Sequence, residues 1–144
     1  MPSNRPRFVQ AYEPDVMASD RRIESYDVPA FSLDGPVYES QSAPFMAEKT
    51  LILVRWYAVS GVAAELDVSD GPSTFALVIG DTDLYRGGQT RAKLTLAKGQ
   101  RYNSADLGSS VGKLVLTARQ WVRIDCLVGG GHESVTVKIE AEVM

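Results

Sequence analysis

The sequence has a single cysteine, Cys126, and a single histidine, His132. One cysteine excludes an intramolecular disulfide framework and a cysteine-rich zinc site. One histidine cannot supply the several ligands of a zinc or iron centre, so no metal and no cofactor are expected. No apolar run approaches the roughly 18 residues of a membrane helix, and no membrane partner is expected. The opening Met1-Pro2-Ser3-Asn4-Arg5-Pro6-Arg7 holds no apolar h-region, so no secretory signal is expected. Excess positive charge is lacking too. The net charge is −3 and the pI about 5.1. A general nucleic-acid binder needs a basic face to neutralise phosphates, so nucleic acid is not an expected partner.

What is present fits one ordinary domain. The 144 residues are 44% hydrophobic and 23% charged, close to the globular average, and a chain of this length buries about two-thirds of its unfolded surface. The punctuating residues are unevenly spread. Six of the seven prolines precede residue 45, and eleven of the twelve glycines follow residue 60. The shift predicts two parts: an extended arm over 1–47 and a β-sandwich over 48–144. The arm carries the whole excess of negative charge.

Prolines disfavour helices of any length in the arm. One short helix, Asp15 to Glu24 behind Pro14, is the exception considered. The arm is no ordinary tail, because half of the twelve aromatics fall in it: Phe8, Tyr12, Tyr26, Phe31, Tyr38 and Phe45. Aromatics bring a large driving force for burial. Such a segment is most easily ordered against its own sandwich, a sister subunit or another protein. These six side chains are the candidate partner-binding anchors.

From residue 50 the pattern changes to short strands and turns. Leu51–Val59 is long, apolar and β-rich. Ala64, Leu66 and Val68 alternate with polar residues, as do Ala92, Leu94 and Leu96. Thr74–Ile79, Tyr102–Leu107 (an edge strand) and Leu114–Leu116 follow the same reading. Val122, Ile124, Cys126 and Val128 alternate, and after Gly129-Gly130-Gly131 so do Val135, Val137, Ile139, Ala141 and Val143. Period-two alternation puts each apolar set on one face of a sheet. Seven or eight such strands without a convincing helix predict an all-β, antiparallel sandwich or barrel. The last two long strands are expected to pair as a hairpin.

Four pieces then carry a family resemblance: Leu51–Val59, Ala92–Gly99, Leu116–Asp125, and the ending Gly129-Gly130-Gly131 with Val135–Glu140. Together they resemble the small jelly-roll β-sandwich of tailed-bacteriophage virion proteins, found in tail fibres, receptor-binding tips and head decoration proteins. The resemblance covers about two-thirds of the chain and leaves out the arm. It implies a jelly-roll-like sandwich of about eight strands, no catalytic residues, and location in the virion. The chain is short for a fibre with its own trimerisation shaft. The leading expectation is therefore a capsid decoration protein, a homo-oligomer whose arm binds capsid or other virion proteins. The alternative is a tail or receptor-binding module that recognises a host glycan or protein.

The remaining chemistry-bearing residues have ordinary readings beside functional ones. His132, in a glycine-rich turn next to Glu133 and Ser134, reads as an exposed turn histidine, since sequence neighbours on a turn rarely converge on one point. Cys126 is in the apolar register of its strand and reads as a small hydrophobe. Asp67-Val68-Ser69-Asp70-Gly71 and Asp81-Thr82-Asp83 have oxygen ligands suited to calcium but also plain turn chemistry. Tyr85, Arg86, Arg91 and Trp121 are the candidate ligand-binding set, because basic and aromatic side chains together can stack on a sugar or base. For the first three, one short cluster on an acidic chain is more often a solvated loop. Tyr57 and Trp121 fall in the outward register, where an aromatic serves as a sugar platform or packs under the arm.

Overall fold

The computed structural model describes residues 24–37, 40–62, 72–81, 87–108 and 112–144. Among them are ten strands: β1 (Ser25–Asp27), β2 (Phe31–Pro36), β3 (Phe45–Met46), β4 (Leu51–Val62), β5 (Ser73–Gly80), β6 (Gln89–Leu96), β7 (Tyr102–Asp106), β8 (Leu114–Leu116), β9 (Trp121–Val128) and β10 (Glu133–Val143). They form two antiparallel sheets. One has the order β1-β10-β4-β7, with β2 also on β10 and β8 also on β4; the other has the order β3-β9-β5-β6.

The strands stand in eight columns. β1 and β2 lie end to end along one edge of β10, opposite residues 140–142 and 133–137. β8 and β7 lie end to end along β4. In chain order the first column pairs with the last, the second with the seventh, the third with the sixth and the fourth with the fifth. β10 also pairs with β4, and β9 with β5. This nested order is a jelly roll.

Alternation explains which residues face inward, with a bulge between Leu53 and Arg55 resetting the phase of β4. Leu51, Leu53, Trp56 and Ala58 of β4 and Val135, Val137, Ile139 and Ala141 of β10 are buried between the sheets. Phe75, Leu77 and Ile79 of β5 and Val122, Ile124 and Cys126 of β9 meet them. Cys126 is thus a buried core side chain, as its register implies.

Two expectations are corrected. β9 and β10 are not a hairpin. They lie in different sheets, and Gly129–Gly131 carries the chain across the end of the sandwich. Period-two patterning fixes which face a side chain takes, but it does not choose the strand's neighbour. The boundary at residue 47 also fails among the described residues. β1, β2 and β3 come from the expected arm and complete an edge of each sheet. Their prolines are compatible with this, because edge strands tolerate a missing N–H. Pro29 lies between β1 and β2, Pro36 ends β2, and Pro44 precedes β3. Phe31 is 4% exposed, a core residue and no free anchor. Tyr26 and Phe45 are half-buried against the core, their ring centroids 6.3 Å apart. Phe8, Tyr12, Tyr38, the helix considered at Asp15–Glu24 (Glu24 apart, which is non-helical) and the Ala64–Val68 strand lie outside the described residues.

Candidate functional site

At one end of the four-stranded sheet, β5, β6 and β9 enclose an open pocket of about 510 Å³. Ile79, Gly80, Asp81, Gly88, Gln89 and Arg91 line it, with Gln120. The Gln120 amide donates to Asp81 Oδ1 at 3.2 Å and so fixes the carboxylate. Gln120 Oε1 in turn accepts from the Thr117 N–H. Gln89 and Arg91 stay exposed at the mouth. The pocket therefore offers a guanidinium, a carboxylate and carboxamides to a polar ligand.

Trp121 lies against this pocket but does not open into it. It is on the outer register of β9, as expected, yet it is fully buried. The reason is bare backbone: a Cβ at Gly80 would sit 2.3 Å from Trp121 Cζ2, and one at Gly88 would sit 2.9 Å from Cη2. The indole also clusters with Ala76 and Val78, and the Arg123 guanidinium carbon stands 5.1 Å from its ring centroid. Of the two readings of Trp121, platform or packed side chain, the burial of its ring leaves the packed one, with the covering supplied by β5 and the glycine backbone. Of the proposed ligand set, Arg91 lines the pocket, Trp121 supports its glycines, and Tyr85 and Arg86 lie outside the described residues.

A serine–histidine pair lies at the start of β5. Ser73 Oγ is 2.7 Å from His132 Nδ1, and both residues are fully buried. His132 Nε2 is 2.8 Å from the Gln100 carbonyl, which can only accept. Nε2 therefore carries the proton, and in the neutral ring Nδ1 accepts from the Ser73 hydroxyl. Ser73 Oγ also accepts from the Gly130 N–H at 2.8 Å. The expectation of an exposed turn histidine is overturned. Gly129–Gly131 let the chain cross between sheets, and the ring drops beneath that crossing. One signal was available: Ser73 is in phase with Phe75, Leu77 and Ile79, so its hydroxyl had to find a partner inside.

Tyr57 does face outward, half-buried on the six-stranded sheet, with Tyr102 beside it. Sequence reasoning did not link these two to Arg55. Among the described residues no group of three or more His, Cys, Asp or Glu is placed to hold a metal ion, and no helix is long and apolar enough to cross a membrane. Asp81 is described without its turn partners; Asp67–Gly71 and Thr82-Asp83 are outside the described residues.

No family description and no curated protein matches the sequence. Similar solved structures include a Podospora anserina GH26-CBM35 β-(1,4)-mannanase at 13% identity and TM-score 0.39, covering 81% of this chain and 27% of that one. A CBM4 structure aligns at 10% identity and TM-score 0.34, covering 88% and 83%. A structure of infectious bursal disease virus, Gx strain, aligns at 13% identity and TM-score 0.34, covering 85% and 33%. The chain thus spans about a quarter to a third of the first and third of these. At such scores the likenesses carry no functional weight; the strand order itself defines the fold.

Proposed function

We propose that this chain is a non-enzymatic structural protein of the tailed-phage virion, a head decoration protein present in many symmetric copies. One observation supports the non-enzymatic part above the others. The Ser73–His132 pair, which has the geometry of a nucleophile and its base, has no exposed surface and spends every polar atom on fastening loops. The phage assignment rests on the sequence resemblance of Leu51–Val59, Ala92–Gly99, Leu116–Asp125 and the terminal strand. The jelly roll is the rigid body in this reading. Residues 1–23 and Tyr38 supply the contact to capsid subunits, with Phe8 and Tyr12 as anchors, since Phe31 is committed to the core. Each contact is weak alone, and many copies on a lattice multiply it.

Two measurements test this. Quantitative mass spectrometry of purified particles should find the chain in hundreds of copies; a handful would move it to the tail or neck. Binding to undecorated heads should weaken strongly in a chain begun at Glu24, which keeps all ten strands. Unchanged binding by that chain removes the N-terminal contact from the mechanism.

A further inference from the structure

The outer face of the six-stranded sheet carries three ordered rows. Thr136, Val59 and Tyr102 stand side by side across β10, β4 and β7. The next row is Lys138, Tyr57 and Ser104, and the next Glu140, Arg55 and Asp106. Tyr57 and Tyr102 are diagonal neighbours, ring centroids 5.9 Å apart and planes at 39°. Tyr102 is 49% exposed and Val59 40%. Among the described residues most large apolar side chains are buried; the other exposed ones, Leu127, Val128 and Met144, lie on β9 and at residue 144. On this face Val59 and Tyr102, with half-buried Tyr57 between them, therefore form one patch.

The row beside them is built around Arg55. It sits at a β-bulge: Glu140 opposes Arg55 while the next residue, Ala141, opposes Leu53. Bulges re-aim side chains and concentrate next to functional surfaces. The Arg55 guanidinium is hydrogen-bonded to Tyr102 and donates to Glu140 Oε2 at 3.4 Å. The Tyr102 hydrogen bond, and after it the charges of Glu140 and Asp106, hold its pKa above the ordinary arginine value. Shallow pockets of about 350 and 470 Å³ flank the row, one toward Ser25 and Asp27, the other toward Ile52 and Lys113.

The chemistry selects a ligand. Exposed aromatic faces accept an apolar C–H surface, and fixed guanidinium and carboxylate groups beside them accept hydroxyls. A pyranose ring presents both. Three apolar side chains are too few for a standard protein interface, which buries about 800 Å² per partner. Both cations of the three rows already carry a carboxylate: Arg55 has Glu140, and Lys138 Nζ is 2.6 Å from Asp27 Oδ1. The face is therefore not set up to attract a polyanion. We propose that it binds a neutral polysaccharide, with Tyr57 and Tyr102 stacking on sugar rings and Arg55 and Glu140 holding their hydroxyls. Pockets on both sides suit an extended chain rather than a single sugar. The inference is independent of the head-decoration reading.

Affinity electrophoresis of the full chain tests it, in native gels cast with mannan, dextran, xyloglucan or galactan, and with polygalacturonate as the anionic comparison. At least one neutral polymer should retard the protein, and added salt should not abolish the retardation. Tyr57→Ala and Tyr102→Ala should each weaken binding by about tenfold, whereas Tyr102→Phe should retain more affinity than Tyr102→Ala. Arg91→Ala, in the pocket on the other sheet, should bind as the parent does. Retardation by none of the four neutral polymers, or by polygalacturonate alone, overturns the proposal. So does equal loss in Arg91→Ala and Tyr102→Ala, which would put the ligand beside Trp121. Tyr102 is half exposed on an edge strand, so its truncation opens no core cavity; a folded Tyr102→Ala protein with unchanged binding is equally fatal.

Discussion

The Ser73 hydroxyl and the His132 imidazole are 59 residues apart in sequence and 2.7 Å apart in space. Through Gln100 and Gly130 they tie the start of β5 to the β6–β7 turn and the β9–β10 crossing. Removing either partner leaves buried polar atoms unsatisfied, at a cost of about 1–3 kcal/mol each. Ser73→Ala should therefore destabilise by about that much, and His132→Ala by more, since it also empties volume. The double variant should lose less than the two single losses added together. Urea denaturation of the four proteins checks this; strict additivity would mean the pair is not coupled.

Gly80 and Gly88 are predicted to be intolerant of alanine. A Cβ at Gly80 would overlap the Trp121 ring at 2.3 Å. At Gly88 it would meet Val78 Cγ1 at 2.8 Å, on a backbone held at φ +91°. Overpacking costs roughly 1–3 kcal/mol, and the left-handed φ adds to it at position 88. Both variants should melt earlier, with a shift in tryptophan emission as the indole is displaced. Gly108→Ala, where among the described residues no atom beyond its chain neighbours lies within 4 Å of the added carbon, should change neither.

The last strand offers a test of register. Ile139 is 1% exposed between the sheets, and Ile139→Ala should cost about 2–5 kcal/mol. Thr136 is exposed, and Thr136→Ala should cost much less. Lys138 bonds Asp27 and the Val28 carbonyl where β1 gives way to β2. Asp27 is 91% exposed at its side chain, so this pair is a surface bridge worth about 0–1 kcal/mol. Lys138→Ala should thus fall nearer Thr136→Ala than Ile139→Ala in denaturant titrations.

Much of the fold was legible because β6, β10 and most of β9 alternate, and alternation reports one covered face. Tyr57 falls outward as expected, although β4 is an apolar run without clean alternation and a bulge at Arg55 resets its phase. Pairing was not legible, since β9 and β10 are neighbours in sequence and strangers in space. Nor were β1 and β3, which have three and two residues and offer no period to detect. At the sites, Trp121 had the right register, but what covers its ring was not legible, because the two glycines that admit it lie 41 and 33 residues earlier. The meeting of Arg55 with Tyr102 depends on the pairing of β4 with β7, which brings together residues 47 positions apart and which alternation does not report.

The end of the arm that enters the sandwich gives the last prediction. A chain begun at Glu24 keeps ten strands, whereas one begun at Glu48 loses β1, β2 and β3. The longer deletion removes Val28, Phe31, Leu33, Val37 and Ala47 from the core. A fully buried Phe, Leu or Val side chain is worth about 1.5–3 kcal/mol, so the sum is comparable to a domain's whole stability of about 5–15 kcal/mol. It also strips the outer edge of β10, whose backbone groups then template association. Circular dichroism and thermal melting should show a folded, cooperative chain for 24–144. The 48–144 chain should be unfolded or aggregated. A cooperative transition for 48–144 near that of 24–144 would mean that β1 to β3 are an appendage after all. The core would then be closed by the seven later strands alone.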